Sequence, residues 1–363
     1  MVRRKTRMIR LGSLPVGGGA PPSVQSMTKT DTRDVESTLK QAKGLEAAGC
    51  EVIRMAVPGG EAAGKLSIYK EALKVPVVAD IHFDYRLALA ALEAGVDGLR
   101  INPGNIGAKW KVKEVVEAAR ERMVPIRIGV NAGSLERDVL YRYGGPYPRA
   151  LVESALRHVT LLEDLDYLEM KVSLKASGVM ETVEAYRIFS HLRDYPLHLG
   201  VTEAGAGKPG VVKSVAGLSI LLAQGIGDTL RVSLTEDPGQ EVKVGLETLR
   251  ALGLRRDKVE IISCPTCGRC DWDLISMVEA VRERLDHVKV PLKVAVMGCG
   301  VNGPGEAREA HVGLAGGKDK ALLFAKGRVV AKVSIEEALE ALVNLVEEAV
   351  REEGVPLCLD DGQ

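Results

Sequence analysis

The sequence predicts an α/β protein in which a TIM-type (β/α)8 barrel over residues 1–255 is followed by a smaller α+β domain over residues 256–363. Short runs rich in Val, Ile and Leu alternate with longer amphipathic stretches, which is typical of parallel βα units. Eight such runs lie between residues 23 and 234, and this count and length fit a barrel. After residue 255 the alternation ends and a cysteine-containing segment follows.

The predicted barrel strands are 23–27, 50–57, 75–81, 98–102, 125–130, 167–173, 197–202 and 229–234. The predicted helices between them include 34–48, 84–94, 110–123, 150–164, 178–193, 210–224 and 239–252. Gly49 and Gly95 stand between a helix and a strand, where a left-handed helix cap is expected. An open doubly wound sheet is the structural alternative. It is disfavoured because no G-x-G-x-x-G follows the first strand, and Gly17, Gly18 and Gly19 precede it in a predicted leading loop.

The second domain has its own predicted order of elements. Strands are expected at 260–263, 293–298, 310–316 and 328–333, with helices at 272–286 and 335–352. This mixture in about 100 residues is of the size of a small independent domain.

Composition excludes several classes of function. Lys plus Arg and Asp plus Glu number 49 each, so no overall field attracts nucleic acid or an anionic membrane. No apolar run approaches the roughly 18–20 residues that span a bilayer. Six cysteines without a secretory signal indicate reduced thiols that are available for metal. We therefore expect a cytoplasmic protein with neither a membrane nor a nucleic-acid partner.

Polar side chains cluster at the ends of the predicted strands, which is where TIM barrels carry their active sites. They are Arg54, Asp80, His82, Arg100, Asn102, Arg127, Asn131, Lys171, Lys175, Glu203, Arg231 and Ser233. A rim salt bridge would account for any one of them. Four arginines within apolar strands are harder to explain, because unpaired buried charge is costly. Converging guanidinium groups suit a phosphate or diphosphate, whereas Asp80, His82 and Glu203 are candidates either for acid–base chemistry or for holding the cations.

Cysteines of the second domain form a predicted metal site. Cys264 and Cys267 form a C-P-T-C pair, Cys270 follows, and Cys299 stands in the run M-G-C-G-V-N-G-P-G-E. Spacing alone leaves a zinc knuckle, a redox dithiol and an iron–sulfur cluster open. Structural zinc normally has four Cys or His ligands, and His287 and His311 lack paired spacing. Three thiolates suit a [4Fe–4S] cluster with a different fourth ligand. Glu306 is the nearest oxygen donor to Cys299, and Asn302 lies in the same tight turn.

Ten stretches together resemble the 4-hydroxy-3-methylbut-2-enyl diphosphate synthase family of the methylerythritol phosphate pathway. They are PPSVQSMT, VIRMAVP, VADIHFD, LRINPGNIG, IRIGVNAGSL, SLKAS, GVTEAG, GIGDTLRVSLT, SCPTCGR and MGCGVNGPGEA, in this order from residue 21 to about 307. The resemblance implies the bacterial two-domain form, with a barrel and an iron–sulfur domain. It also implies a head-to-tail homodimer and an electron donor such as flavodoxin or ferredoxin.

The resemblance also assigns roles. It implies a [4Fe–4S] cluster on Cys264, Cys267, Cys299 and Glu306, and leaves Cys270 outside the ligand set. It implies that 2-C-methyl-D-erythritol 2,4-cyclodiphosphate is opened reductively, with loss of water, to the linear allylic diphosphate. Implied diphosphate contacts are Arg54, Arg100, Arg127, Lys175, Arg231 and Ser233; implied pocket residues are Asn102, Asn131, Asp80 and His82, with Glu203 a candidate acid and Asn302 near the substrate.

Two other functions remain as alternatives. One is a non-redox phosphosubstrate enzyme with a zinc-stapled accessory domain, which leaves the fourth zinc ligand unexplained. The other is a binding protein with a sensing cluster, which leaves the acid–base residues without a task. Radical enzymes that use S-adenosylmethionine are disfavoured because their three-cysteine loop lies early in the barrel, and no such loop precedes residue 255.

Overall fold

The computed structural model describes residues 2–299, 305 and 310–352. The chain divides into two compact units, of which the first ends at Arg255 and the second begins at Arg256. Within the described ranges, no helix combines the length and the apolarity that a membrane crossing requires.

The first unit begins with two strands, β1 (Met8–Leu11) and β2 (Leu14–Gly17), and continues with eight parallel strands. These are β3 (Ser23–Met27), β4 (Val52–Ala56), β5 (Val77–Asp80), β6 (Gly98–Ile101), β7 (Ile126–Asn131), β8 (Met170–Lys175), β9 (His198–Leu199) and β10 (Thr229–Leu230). Their order in the sheet is β8-β7-β6-β5-β4-β3-β10-β9. A parallel bridge between Val172 and Leu197 links the two ends, so the sheet forms a nearly closed barrel. The predicted barrel is confirmed.

Helices separate the barrel strands. They are α1 (Val35–Ala47), α2 (Gly60–Ala72), α3 (Tyr85–Glu93), α4 (Pro103–Ile106), α5 (Lys109–Glu121), α6 (Arg137–Tyr143), α7 (Pro148–Glu163), α8 (Val179–Leu192), α9 (Gly207–Ala223) and α10 (Pro238–Ala251). All seven helices specified from the sequence are present, with ends within three residues of the predicted ones. Gly49 (φ +90°) and Gly95 (φ +80°) adopt the left-handed conformation expected of helix caps.

An antiparallel hairpin of β1 and β2 precedes the barrel, and the sequence did not predict it. The predicted leading loop was wrong at Gly17, which ends β2. Ile9, Leu11 and Val16 pack with Val52 and Val78, which lie at the starts of β4 and β5. The hairpin therefore covers the N-terminal end of the barrel with apolar side chains, and its two short strands carry too few residues to show a period in the sequence.

The second unit is a five-stranded sheet with two helices among its described residues. Its elements are β11 (Glu260–Ser263), α11 (Leu274–Arg284), β12 (Lys293–Met297), β13 (Val312–Gly316), β14 (Lys320–Ala325), β15 (Arg328–Ser334) and α12 (Ala338–Glu352). Strands β11, β12 and β13 are parallel, and β14 and β15 continue the sheet antiparallel. Leu342, Val343 and Val346 lie on the buried face of α12 and belong to the core of this unit. Strand β14 was not predicted from the sequence.

Candidate functional site

A cavity with about 470 Å³ of empty volume lies at the C-terminal ends of the barrel strands. Its lining residues are Arg54, Asp80, His82, Arg100, Arg127, Asn131, Ser173, Lys175, Thr202, Arg231 and Ser233. Nine of these residues were site candidates from the sequence; Ser173 and Thr202 were not.

Strand register brings these side chains together. Arg100 on β6 stands opposite Asp80 on β5 and Arg127 on β7, and Arg127 stands opposite Lys171 on β8. Residues opposite one another in adjacent parallel strands point to the same face, and alternate residues along a strand share a face. Arg54, Asp80, Arg100 and Arg127 occupy strand positions that share one face, so their side chains point into the barrel.

Asp80 is surrounded by cationic groups. Its carboxylate oxygens lie 3.2 Å from Arg100 Nη1, 3.7 Å from Arg54 Nε and 3.5 Å from His82 Nε2. Burial alone would raise the pKa of Asp80, but Arg54, the His82 hydrogen bond and Arg100 together hold this pKa well below its usual range. An ionised carboxylate between two arginines is suited to holding them in place.

Arg231 is oriented by a carboxylate that the sequence did not single out. Glu241 on α10 is 1% exposed, and its Oε2 lies 3.3 Å from Arg231 Nη2. Its Oε1 lies 3.1 Å from Lys29 Nζ and accepts a hydrogen bond of 3.0 Å from the Leu234 backbone N–H. The sequence contained a signal for this role, because Glu241 lies on the buried face of α10 with Val242 and Gly245. A charged residue at a core-facing position requires an internal partner.

Arg127 and Lys175 differ from the arginines that Asp80 and Glu241 hold in place. Both are at least nine-tenths buried, and neither pairs with a carboxylate among the described residues. Arg127 Nη1 reaches only the Ser173 hydroxyl, at 3.5 Å. Two glycines leave space for the cationic groups, since a Cβ at Gly200 would lie 2.6 Å from Lys175 Nζ and one at Gly129 would lie 2.5 Å from Arg100 Nε. The cavity therefore holds cationic side chains in excess of its carboxylates.

The remaining barrel candidates lie elsewhere. Asn102 is buried, and its Oδ1 accepts a hydrogen bond of 3.1 Å from the Gly104 N–H at the start of α4, so it does not line the cavity. Lys171 is buried inside β8, below the cavity. Glu203 is exposed and follows the cavity residue Thr202, and its φ of +52° is rare for a residue with a long side chain.

The cysteines lie at one end of the second sheet. Strands β11 and β12 are parallel neighbours with Ser263 opposite Val296, so Cys264 and Cys299 follow adjacent strands at the same edge. The Gly298 N–H donates to Cys264 Sγ at 3.2 Å, and the Trp272 indole N–H donates to the Gly298 carbonyl at 2.9 Å.

Two predicted residues of the cluster region, Asn302 and Glu306, lie outside the described residues. Within the described part of the chain, no three His, Cys, Asp or Glu residues are grouped as a metal site. The donors present are nevertheless of the right kind. Thiols at one edge, one of which already accepts a backbone N–H, are typical of iron–sulfur sites.

A Cβ on Gly298 would lie 2.9 Å from Cys270 Sγ and 3.3 Å from Cys264 Sγ. The Cys270 sulfur therefore lies near that of Cys264, and its Sγ is 3.3 Å from the Trp272 carbonyl.

Comparison with known proteins agrees with the geometry. Residues 6–246 match the family model for the GcpE TIM-barrel domain, and residues 260–348 match that for the GcpE protein C-terminal domain. A protein of Thermodesulfovibrio yellowstonii named 4-hydroxy-3-methylbut-2-en-1-yl diphosphate synthase (flavodoxin) is 58% identical over 94% of this chain and 98% of its own length. A protein of the same name from Geobacter sulfurreducens is 59% identical over 97% of this chain and 99% of its own length.

Among solved structures, 3-dehydroquinate dehydratase of Geobacillus kaustophilus aligns with a TM-score of 0.50 at 13% identity. The alignment covers 68% of this chain and 98% of that protein, and at this identity it shows the barrel fold alone. The two family models, by contrast, cover both units of the chain. The family predicted from the ten sequence motifs is thereby confirmed, and the chain belongs to the GcpE family.

Proposed function

We propose that this protein converts 2-C-methyl-D-erythritol 2,4-cyclodiphosphate to (E)-4-hydroxy-3-methylbut-2-enyl diphosphate by reductive ring opening and dehydroxylation. The observation that carries the proposal is the cavity of a GcpE-family barrel, in which Arg127 and Lys175 are buried without a carboxylate. A diphosphate is the ligand that neutralises such cations, because its oxygens accept several charge-assisted hydrogen bonds at once.

Binding and orientation are the tasks of the cavity. Arg54, Arg100, Arg127, Lys175, Arg231 and Ser233 contact the diphosphate, and Asn131 and His82 line the carbon skeleton. Asp80 and Glu241 hold three of the arginines in place before the substrate arrives. Positions fixed in advance lower the entropy that the substrate complex must lose.

Glu203 is the proposed proton donor for the hydroxyl that leaves as water. Its backbone supports this assignment, since a non-glycine residue with positive φ costs of order 1–2 kcal/mol, and such strain concentrates at functional sites. Glu203 directly follows Thr202, which lines the cavity. Asn102 contributes by capping α4, the short helix that follows β6.

Cys264, Cys267, Cys299 and Glu306 are the proposed ligands of a [4Fe–4S] cluster. The bound cluster supplies electrons one at a time, which polar side chains cannot do. The hydrogen bond from Gly298 to Cys264 Sγ supports the assignment, because backbone N–H groups tune and stabilise cluster thiolates. Asn302 is proposed to approach the substrate from the same turn.

The proposed electron donor is flavodoxin, which the names of the relatives specify for those proteins. We further propose a head-to-tail homodimer, in which the cluster domain of one protomer serves the barrel of its partner. Sedimentation of wild-type protein tests the dimer, and mixing an Arg127→Met chain with a Cys299→Ser chain tests its orientation. The mixture regains activity if the barrel and the cluster of one working site come from different chains.

The first experiment measures iron, acid-labile sulfide and zinc in protein purified without oxygen. The proposal predicts about four iron and four sulfide per chain with little zinc. One zinc without sulfide would leave a non-redox phosphosubstrate enzyme with a zinc-stapled domain.

Glu306→Ala is the second experiment, with Glu348→Ala as its control because Glu348 is an exposed carboxylate on α12 of the same unit. Glu306→Ala is expected to abolish turnover while cyclic diphosphate binding is retained, whereas Glu348→Ala leaves both unchanged. Normal turnover of Glu306→Ala would exclude Glu306 from the mechanism.

A further inference from the structure

A second polar layer lies inside the barrel, one step below the cavity. Its members are Ser23 and Gln25 on β3, Lys171 on β8, His198 on β9 and Thr229 on β10, all at most 2% exposed. These four strands are consecutive around the ring, counting the bridge that joins β8 to β9. Lys171 precedes the cavity residue Ser173 by two positions, and Thr229 precedes Arg231 by two, so the layer faces the barrel interior.

Lys171 is the lysine of this layer, and its Nζ has no hydrogen-bond partner among the described residues. Gln25 Nε2 and Oε1 and His198 Nε2 also have none, whereas His198 Nδ1 lies 2.7 Å from Thr229 Oγ1. A buried ammonium without a partner is strongly disfavoured, while a neutral amine is tolerated. Lys171 therefore has the surroundings of a lysine that is uncharged in the free protein.

The charges that face Lys171 also favour its uncharged form. Arg127 on β7 is its partner in the strand register, and Arg54 on β4 adds a second cation. The nearest carboxylate, Asp228, is already bound to Arg3 at 3.1 Å and to the Leu197 N–H at 2.8 Å. Burial, with Arg127 and Arg54, holds the pKa of Lys171 well below its ordinary value.

Lys175 and His198 are the other titratable groups nearby. Burial lowers the pKa of both, and the neighbouring Arg127 lowers each further. His198 is thus kept neutral and is no competitor for a proton, while Lys175 lines the cavity and meets the ligand directly.

Ring opening changes the charge that this site must neutralise. Each phosphorus of the cyclic diphosphate carries one ionised oxygen, so the substrate has two negative charges. Once the C–O bond breaks, the terminal phosphate has a second ionisable oxygen with a pKa of about 6. The linear product therefore carries three negative charges at pH 8. The third charge offsets part of the repulsion that Arg127 and Arg54 exert on a proton at Lys171, so it favours the ammonium form.

We propose that Lys171 responds to this third charge: it is a neutral amine beneath the bound cyclic diphosphate and becomes an ammonium ion, by taking one proton from solvent, beneath the linear diphosphate. The inference rests on the proposed function. Lys171 contacts neither ligand and acts through the field that it shares with Arg127, which stands one strand away in the cavity wall.

Proton uptake is measured by calorimetric titration of the full-length protein, purified without oxygen and kept without a reductant, at pH 8. Each ligand is titrated in two buffers that differ in ionisation enthalpy, so that the number of protons taken up follows from the difference in heat. The linear allylic diphosphate is expected to take up about one proton more than the cyclic diphosphate. In Lys171→Met this difference is expected to disappear while both ligands still bind. The affinity for the linear diphosphate is expected to fall by about tenfold relative to that for the cyclic diphosphate.

Lys171→Arg serves as the second variant, because a guanidinium is always charged. It is expected to remove the difference in proton uptake between the two ligands and to keep the linear diphosphate tightly bound. Equal proton numbers for both ligands in the wild type, or an unchanged difference in Lys171→Met, would overturn the role of Lys171 and leave the proposed function standing. Failure of the wild-type protein to bind either diphosphate would overturn the proposed function, and with it the charge argument.

Discussion

At the N-terminal end of the barrel, two partly buried arginines each have several hydrogen-bond partners, whereas at the C-terminal end two buried cations meet no carboxylate among the described residues. Arg3 Nη2 binds Asp228 at 3.1 Å and the Gly227 carbonyl at 2.7 Å, and Arg4 binds the carbonyls of Arg193 and Tyr195. Arg127 and Lys175, by contrast, are more deeply buried and meet no carboxylate among the described residues. Paired charge at one end stabilises the fold, and unpaired charge at the other end is held ready for an anion.

Cations without a carboxylate are tolerated at the C-terminal end because the two ends of the barrel have different surroundings. The hairpin residues Ile9, Leu11 and Val16 cover the N-terminal end, where an unpaired charge would have no access to water or ligand. At the C-terminal end the cavity is open, so that the His82 side chain is about half exposed and an entering ligand can reach the cations. Five predictions can break or sharpen this comparison.

Arg127→Met has the largest expected effect on activity. Loss of the guanidinium removes a charge that meets only the ligand, so kcat/KM falls by about 10²–10³-fold. Folding stability stays the same or rises, because an apolar side chain replaces an unpaired buried charge. Steady-state kinetics and urea unfolding measure the two quantities.

Arg3→Met is the matched variant at the other end of the barrel. It leaves Asp228 buried without its ion pair, and we expect a loss of about 2–4 kcal/mol in unfolding free energy with kcat/KM of the folded protein unchanged. If Arg3→Met impaired catalysis and Arg127→Met impaired folding, the two ends would not be specialised as described.

Glu241→Ala tests a carboxylate that is expected to contribute both to folding stability and to ligand binding. Removing it leaves Arg231 and Lys29 without their carboxylate, so unfolding free energy falls by about 3 kcal/mol and diphosphate binding weakens by about tenfold. Glu247→Ala on the same helix is the control, since the exposed Glu247 pairs with Arg250 and contributes less than about 0.5 kcal/mol. Equal losses in the two variants would refute the orienting role of Glu241.

A pH titration of stability tests a paired charge that follows β7 at the cavity end. Glu136 Oε1 lies 3.0 Å from His158 Nε2. Burial would raise the pKa of Glu136, but the His158 hydrogen bond and others lower it to about 2. A lowered carboxyl pKa contributes stability that is complete above about pH 4.5 and is lost as pH falls towards 2.

After allowance for solvent screening, this contribution is about 1–2 kcal/mol. Glu136→Gln should remove it, so the variant and the wild type differ at pH 6 and converge near pH 2. Chemical unfolding at a series of pH values gives the difference directly. A gap that persisted at pH 2 would show that the side chain acts through shape and not through its charge.

Glu203→Gly has the smallest expected effect on stability and a clear one on activity. Glycine adopts φ +52° without the steric cost, so unfolding free energy stays level or rises by about 1 kcal/mol while turnover falls. Asp166→Gly is the control, because Asp166 is exposed between α7 and β8 and also has φ +52°. It is expected to show the same change in stability with normal turnover. Loss of activity in both variants would remove the functional meaning of the strain at Glu203.

Local pattern was sufficient for most of the fold. The two-residue period that places Lys171 and Lys175 on one face of β8, and the 3.6-residue period of helices such as α1, are properties of neighbouring residues. The hairpin of β1 and β2 and the strand β14 were missed because short strands have too few residues to display a period. Family membership followed from ten motifs in order, each of which ends a strand or forms a turn.

By itself the sequence determined which strands carry inward cations, that their sum suits a multiply charged anion, and that thiols follow in a second unit. Only the tertiary structure decided which of those cations are already neutralised. Asp80 joins Arg54 and Arg100 from two other strands, Glu241 reaches Arg231 from a helix, and Lys171 has no partner in the part of the chain that the structure describes. The physical reason is that periodicity is set by covalent neighbours, whereas charge pairing depends on distances of a few ångströms between atoms far apart in the chain.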